Sequence, residues 1–180
     1  MKKRKLSNSE LARLSPQEFK DADKLRITLV LDNVRSAHNV GSAFRTSDAF
    51  RIEKIMLCGI SSTPPSAEIH KTALGAEDSM DWEYFEKTED AISVLHEEHY
   101  RTVAIEQAEN SIALNDFIPD KTRKYALVFG NEVKGIQQNI VDMCRDCVEI
   151  PQFGVKHSLN VSVSIGIVLW HFAAGINYKL

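Results

Sequence analysis

Ile150-Pro-Gln-Phe-Gly-Val-Lys-His-Ser158-Leu-Asn160-Val-Ser-Val-Ser-Ile-Gly-Ile-Val-Leu-Trp170 is the stretch on which the fold turns. A strand ends at Ile150-Pro151, a turn carries Gly154, and Ser158 and Asn160 open a long apolar segment. Polar side chains at the mouth of a buried element are costly to desolvate unless paired. Ser158 and Asn160 are therefore caps or parts of a site. Leu159, Val161, Val163, Ile165 and Ile167 alternate with smaller or polar residues, which taken literally is a strand pattern. A run from Leu159 to Ala174 without a turn signal is too long for a strand. The sequence predicts a helix over 158–174, with Ser158 as its cap.

At 180 residues the chain is long enough to bury a core as one domain. Its 43% hydrophobic and 26% charged residues are those of a soluble globular protein. No run approaches the roughly 18 apolar residues of a membrane span. The start, Met-Lys-Lys-Arg-Lys, lacks the apolar region of a secretory signal, so a cytoplasmic location is expected. The three cysteines are too few and odd in number for a disulfide framework. Cys144 and Cys147 form a Cys-x-x-Cys, but no second ligand pair supports zinc, and the pair falls between a helix end and a strand start. It reads as structural, and no metal is expected. The net charge of −3 is unevenly spread: residues 1–24 carry seven basic and four acidic side chains, leaving −6 for the remainder. A basic extension on an acidic body is either a phosphate-backbone contact or a solvated tail.

Within 1–24, Ser7 to Glu10 offer helix caps, and Leu11, Leu14 and Phe19 follow at helical spacing, predicting one short helix. The chain then alternates strands and helices. Strands are predicted at 26–31, 54–58, 82–85, 102–105, 125–129 and 148–150, and helices at 39–50, 68–77, 88–99 and 137–143. His96 and His99 lie three apart on the third of these helices and read as solvent-facing. Gly41, Ser42 and Ala43 let the first pack closely on a neighbour. This order predicts an α/β domain with a mainly parallel sheet.

Ligands of such sheets bind beyond the carboxyl ends of the strands. The loops there, after Leu31, at Glu106–Asn110, at Gly130–Gly135 and at Pro151–Ser158, bring in Asn39, Arg45, Glu132, Ser158 and Asn160. This set is unlike a Ser-His-Asp hydrolase. Neither a phosphate-binding Gly-x-x-x-x-Gly-Lys-[Ser/Thr] nor a dinucleotide Gly-x-Gly-x-x-Gly is present. The residues alone give a polar site fed by several loops.

Three ordered motifs carry a resemblance: Asn39-Val-Gly-Ser-Ala-Phe-Arg45-Thr-Ser-Asp-Ala-Phe, Leu127-Val-Phe-Gly-Asn-Glu132-Val-Lys-Gly135 and Ile150-Pro-Gln-Phe-Gly-Val-Lys-His-Ser158-Leu-Asn160-Val-Ser. Over roughly residues 25–175 the chain resembles the SpoU/TrmH branch of the SPOUT superfamily, S-adenosyl-L-methionine-dependent methyltransferases of RNA ribose 2′-hydroxyls. The resemblance implies a Rossmann-like sheet with a C-terminal deep trefoil knot (the SPOUT fold) over residues 25–180, with 1–24 as an extension. It implies a homodimer with the catalytic site built across the interface, for which the small-residue faces of helices 39–50 and 158–174 are suited. It places cofactor contacts at Glu106, Phe129, Gly130, Ile150, Gln152, Ser158 and Leu159, and catalytic roles at Asn39, Arg45, Glu132, Ser158 and Asn160.

A family proposal makes the motif-one arginine the general base, yet a guanidinium keeps its proton to beyond about pH 12. The expectation here is that Arg45 binds the phosphate beside the target ribose and aligns the hydroxyl. Asn39 orients Arg45 or the ribose, while Glu132, Ser158 and Asn160 shape the surrounding shell. Gln152 stands where many relatives have Met and Val133 where many have Gly, and neither removes a polar catalytic residue. Set against the larger ribosomal members, the resemblance shows no separate N-terminal RNA-binding domain. The expectation is therefore a compact enzyme that recognises folded RNA such as tRNA through the dimer surface and the basic extension, with tRNA or rRNA as the substrate class. Two alternatives remain open: a non-catalytic RNA-binding SPOUT protein, and a SPOUT enzyme methylating an RNA base.

Overall fold

The computed structural model describes residues 3–11 and 13–176. Lys2 of the basic extension, Ala12 of the expected N-terminal helix and residues 177–180 lie outside them. In place of one N-terminal helix there are a 3-10 turn at Asn8–Leu11 and a helix α1 at Pro16–Asp21. Pro16 separates them, because its missing N–H and fixed φ suit a helix start and not an interior. Ser15 accepts from the Glu18 N–H and Glu18 accepts from the Ser15 N–H at 2.7 Å, a reciprocal cap.

From there the chain runs through β1 (Leu25–Asp32), α2 (Ala37–Ala49), β2 (Ile52–Cys58), α3 (Ala67–Ala73), α4 (Ala76–Ser79), β3 (Trp82–Phe85), α5 (Thr88–Glu97) and β4 (Tyr100–Ile105). It continues through β5 (Ile112–Ala113), β6 (Lys124–Phe129), α6 (Gln138–Met143), β7 (Asp146–Glu149) and α7 (Val161–Gly175). The single helix expected at 68–77 is broken where Leu74 (φ 55°) and Gly75 (φ 90°) turn left-handed, giving α3 and α4. The two-residue β5 had no sequence signal of its own.

The strands form one sheet in the order β3-β2-β1-β6-β4-β7-β5, and each pairing is parallel, as the α/β expectation requires. A parallel sheet is covered on both faces, so its central strands are largely apolar, with Thr28 and Thr102 as buried exceptions. In β6, Tyr125, Leu127 and Phe129 point to a core shared with α2, α3 and α7, while Ala126 and Val128 point to one shared with α5 and α6. Sequence order reverses across the β1–β6 pair, so a crevice opens beyond their carboxyl ends.

The opening stretch resolves as a helix. Val161, Ile165, Val168, Leu169 and Phe172 are its buried residues, a stripe of helical and not alternating period. Phe172 stacks edge-on with Tyr125 at 5.0 Å between ring centroids. Burial of such a ring is worth about 1.5–3 kcal/mol. The cap is Asn160 and not Ser158, since Asn160 Oδ1 accepts from the Ser162 N–H at 2.9 Å and the Ser162 hydroxyl at 2.6 Å. The small face of α2 is spent inside the chain: a Cβ on Gly41 would lie 2.3 Å from the Ile69 carbonyl oxygen of α3. On α7, a Cβ at Gly166 would meet nothing within 4 Å.

Candidate active site

The site grows from the ends of β1 and β6. Asp32 closes β1 and is fully buried. Its carboxylate accepts from the Thr88 hydroxyl at 2.6 Å, Asn33 Nδ2 at 2.8 Å and the Gln137 N–H at 3.2 Å. The start of α5 and the far end of the loop after β6 are thereby tied to one anion. Asn131 Nδ2, in that loop, donates to the Asn33 carbonyl at 2.8 Å, joining the loops after β1 and β6.

Glu132 is the hub. Oε1 accepts from Asn39 Nδ2 at 3.0 Å and the Ser36 N–H at 3.1 Å, and Oε2 accepts from the Arg35 N–H at 3.3 Å. Partial burial pushes this carboxyl up, but the bonds from Asn39, Ser36 and Arg35 outweigh it and hold it below the usual value. Asn39 in turn accepts at Oδ1 from Asn160 Nδ2 at 3.2 Å. The side chains of α2, the β6 loop and the cap of α7 thus form one chain, Glu132–Asn39–Asn160.

The loop Gly130–Ile136 is drawn tight by two glycines. A Cβ on Gly130 would lie 2.2 Å from the Ile136 nitrogen, and one on Gly135 (φ +67°) would lie 2.2 Å from Glu106 Oε2. Glu106 holds this loop from the end of β4, accepting from the Ile136 N–H at 3.0 Å and from the Gln107 N–H at 2.9 Å. Gln107 Nε2 donates to the His157 carbonyl at 2.8 Å and secures the 151–158 segment.

Between these loops lies a cavity of about 1010 Å³. Glu106, Phe129, Gly130, Ile150, Gln152, Ser158 and Leu159 line it, as do Glu132 and Asn160. Asn39 reaches its edge through its two side-chain bonds. Arg45 does not. It sits on the exposed side of α2 and lines a separate cleft with Arg13, Asp48 and Leu74. Six residues along a helix amount to about 9 Å and a rotation of some 120° from Asn39, which takes it off the cavity.

The cavity suits a cationic cofactor with an aromatic base. Glu106, Glu109, Glu132 and Asp142 present carboxylates to it, and Phe129, Ile150 and Leu159 supply apolar surface. The glycine-tightened loop leaves backbone groups free of Cβ atoms at its wall. S-adenosylmethionine, with its sulfonium and ammonium charges, matches this lining. Cys144 caps α6 and Cys147 lies in β7, as expected for a structural pair. Burial pushes the Cys144 thiol up to about 12, so it stays protonated and unreactive at neutral pH. His96 and His99 are both exposed, as the spacing predicts, and His96 also bonds Thr102 Oγ1 at 3.0 Å. Among the described residues no cluster of three His, Cys, Asp or Glu is placed to hold a metal, and no helix is long and apolar enough to cross a membrane.

Sequence reasoning missed Asp32 and Gln107 as organisers of the site. Asp32 carried a readable signal: a carboxylate ending an apolar central strand must find donors. Gln107 had none, because its partner is a backbone carbonyl fifty residues away.

Comparison with known proteins agrees with this geometry. The SpoU rRNA Methylase family matches residues 26–170. A 23S rRNA (guanosine-2′-O-)-methyltransferase of Neisseria meningitidis is 29% identical over 143 residues, 79% of this chain and 56% of that protein. A tRNA (guanosine(18)-2′-O)-methyltransferase of Aquifex aeolicus is 30% identical over 142 residues, 77% of this chain and 64% of that protein. The AdoMet-bound rRNA methyltransferase structure from Sinorhizobium meliloti has a TM-score of 0.78 at 27% identity, covering 90% of this chain and 61% of that one. The chain spans between half and two thirds of these proteins. It belongs to the SpoU rRNA methylase family.

Proposed function

We propose that this protein transfers a methyl group from S-adenosyl-L-methionine to a ribose 2′-hydroxyl of tRNA or rRNA. The observation that carries the reading is the Glu132–Asn39–Asn160 chain of hydrogen bonds at the rim of the acidic cavity. In this reading residues 25–180 form the methyltransferase domain, with 150–160 threaded as the knot around the cofactor, and 1–24 are an extension toward RNA. The names of the Neisseria and Aquifex relatives support the reaction class, and the AdoMet-bound relative supports the cofactor.

When bound, S-adenosylmethionine supplies an activated methyl group. The chain's own residues do the positioning. Glu132 keeps Asn39 oriented, Asn160 braces Asn39 from the other side, and Ser158 and Leu159 close the cavity wall. Arg45 binds the phosphate next to the target ribose and aligns its hydroxyl, and the proton leaves to phosphate or solvent.

Because Arg45 points away from the cavity of its own chain, it serves the cavity of a second copy. Helix α7 offers the face for that homodimer, with Val163, Ile167 and Trp170 49%, 38% and 67% exposed around the open Gly166. A cytoplasmic site of action follows from the RNA substrates. Incubation with methyl-labelled S-adenosylmethionine and total RNA from a strain deleted for the gene tests the reading. Alkali-resistant labelled dinucleotides are expected, because a 2′-O-methyl blocks attack on the adjacent phosphate. A labelled base, or no incorporation into tRNA or rRNA, overturns it.

A further inference from the structure

The cleft that holds Arg45 is a feature in its own right. It measures about 650 Å³, within the range of pockets that enclose a small molecule. One wall is the segment leading into α1, with Leu11, Arg13 and Leu14; the other is the α3–α4 junction, with Leu74; its floor is the last turns of α2 and the residues after it. Arg13, Arg45 and Arg51 face it against the single carboxylate of Asp48. On a chain of net charge −3 this is a local concentration of cations. Burial raises Asp48 above the usual carboxylate value, with Lys24 and Arg13 pulling it partly back.

The apolar part is equally unusual. Leu11, Leu14 and Leu74 are 40%, 45% and 63% exposed beside those arginines. Leu74 is held left-handed, with its N–H donated to the His70 carbonyl at 2.9 Å, a conformation that leucine rarely adopts. Guanidinium groups beside apolar surface match a nucleotide, which has a charged phosphate and a flat base. The volume has room for one such unit and not for a duplex.

We propose that this cleft is an RNA subsite that takes one unstacked nucleotide adjacent to the methylated one. Arg13 holds its phosphate beside Arg45, and its base lies on Leu14 and Leu74. The proposal rests on the methyltransferase reading, since it is Arg45 that joins the cleft to the reaction. It makes the N-terminal segment a specificity element, with Arg13 a binding residue that touches neither the cofactor nor the reacting hydroxyl.

The test is fluorescence anisotropy with 3′-labelled total tRNA and fragmented rRNA from the deletion strain, alongside methyl transfer. Arg13→Ala and Leu74→Asn, both at exposed positions, are each expected to weaken RNA binding about five- to tenfold. Asn tolerates the left-handed backbone, so that variant keeps the local turn. For Arg13→Ala the slope of log affinity against log salt should fall by about 0.7, one single-strand phosphate contact, and Arg13→Lys should restore it. In turnover the loss should fall on the KM for RNA, with affinity for S-adenosylmethionine unchanged. Unchanged RNA affinity in both alanine and asparagine variants overturns the subsite, as does a wild-type protein that binds neither RNA. A wild type that transfers methyl groups while both variants bind normally loses only the subsite. One that binds RNA through Arg13 and Leu74 but transfers nothing loses only the methyltransferase reading.

Discussion

Asn39 and Glu132, 93 positions apart in the chain, meet at 3.0 Å where α2 begins and the β6 loop turns. The same carboxylate collects the N–H groups of Arg35 and Ser36, so it orders the approach to α2 as well as the amide. Glu132→Gln replaces one acceptor oxygen with an amino group facing donors. The expected cost is about 1–3 kcal/mol. Urea unfolding should show a lower midpoint, and methyl transfer should fall because Asn39 loses its fixed orientation. An unchanged midpoint would mean that the carboxylate carries no structural role.

The same group sets a pH dependence. Its folded-state pKa lies below the ordinary 4.5, held down against burial by the bonds from Asn39, Ser36 and Arg35. A depressed carboxyl contributes stability that is fully present above its unfolded value and lost as pH falls through the folded one. The urea-midpoint gap between wild type and Glu132→Gln should be constant from neutral pH down to about 4.5 and shrink below it. A gap that instead widens on acidification would reverse the assignment.

Arg45 gives a sharper experiment, because it lies on the exposed side of α2 while Asn160 lies at the cavity. Arg45→Ala should abolish methyl transfer and leave cofactor binding intact. Asn160→Ala should also be inactive. Co-expressed with separate affinity tags and purified as mixed dimers, the two variants should regain part of the wild-type rate. A mixed dimer pairs an intact Arg45 from one chain with an intact cavity from the other. Mixed dimers as dead as their parents would place both residues in one chain's site.

Much of the sheet was legible from the chain alone, and the reason is physical. Tyr125 to Phe129 is apolar on both faces, and Leu29 to Leu31 likewise, which only a covered parallel strand needs. The last helix was harder. Its exposed half carries Val163, Ile167 and Trp170 as well as the buried Val161, Ile165 and Leu169, so the apolar residues also satisfied a strand's alternation. Length decided it. The cap fell on Asn160 and not Ser158, a two-residue shift that spacing could not settle because both side chains suit an N-cap. The grouping of Glu132 with Asn39 and Asn160 came from the loops beyond the strand ends, and their roles from the motif resemblance; periodicity carries no information on contacts across some ninety to one hundred and twenty positions. The separation of Arg45 from that group was legible in principle, since residues six apart on a helix do not share a face.

Gly135 offers the most direct test of how the cavity wall is held. It has φ +67°, and an added Cβ would stand 2.2 Å from Glu106 Oε2 and 3.1 Å from Glu106 Cδ. Gly135→Ala therefore meets two costs at once. The left-handed backbone disfavours alanine by about 1–2 kcal/mol. Glu106 must also move off the Ile136 N–H it holds at 3.0 Å, a loss of about 1 kcal/mol. The loop relaxes outward, and the wall formed by Gly130 to Ile136 loses its shape. Calorimetric titration with S-adenosylmethionine should show affinity weakened at least about tenfold, while RNA binding through the opposite side of α2 is preserved. Gly154→Ala is the matched comparison: a Cβ there meets nothing within 4 Å, and its φ is not left-handed, so affinity should hold. If both variants bind the cofactor alike, Glu106 and Gly135 do not shape the site, and the wall is set elsewhere.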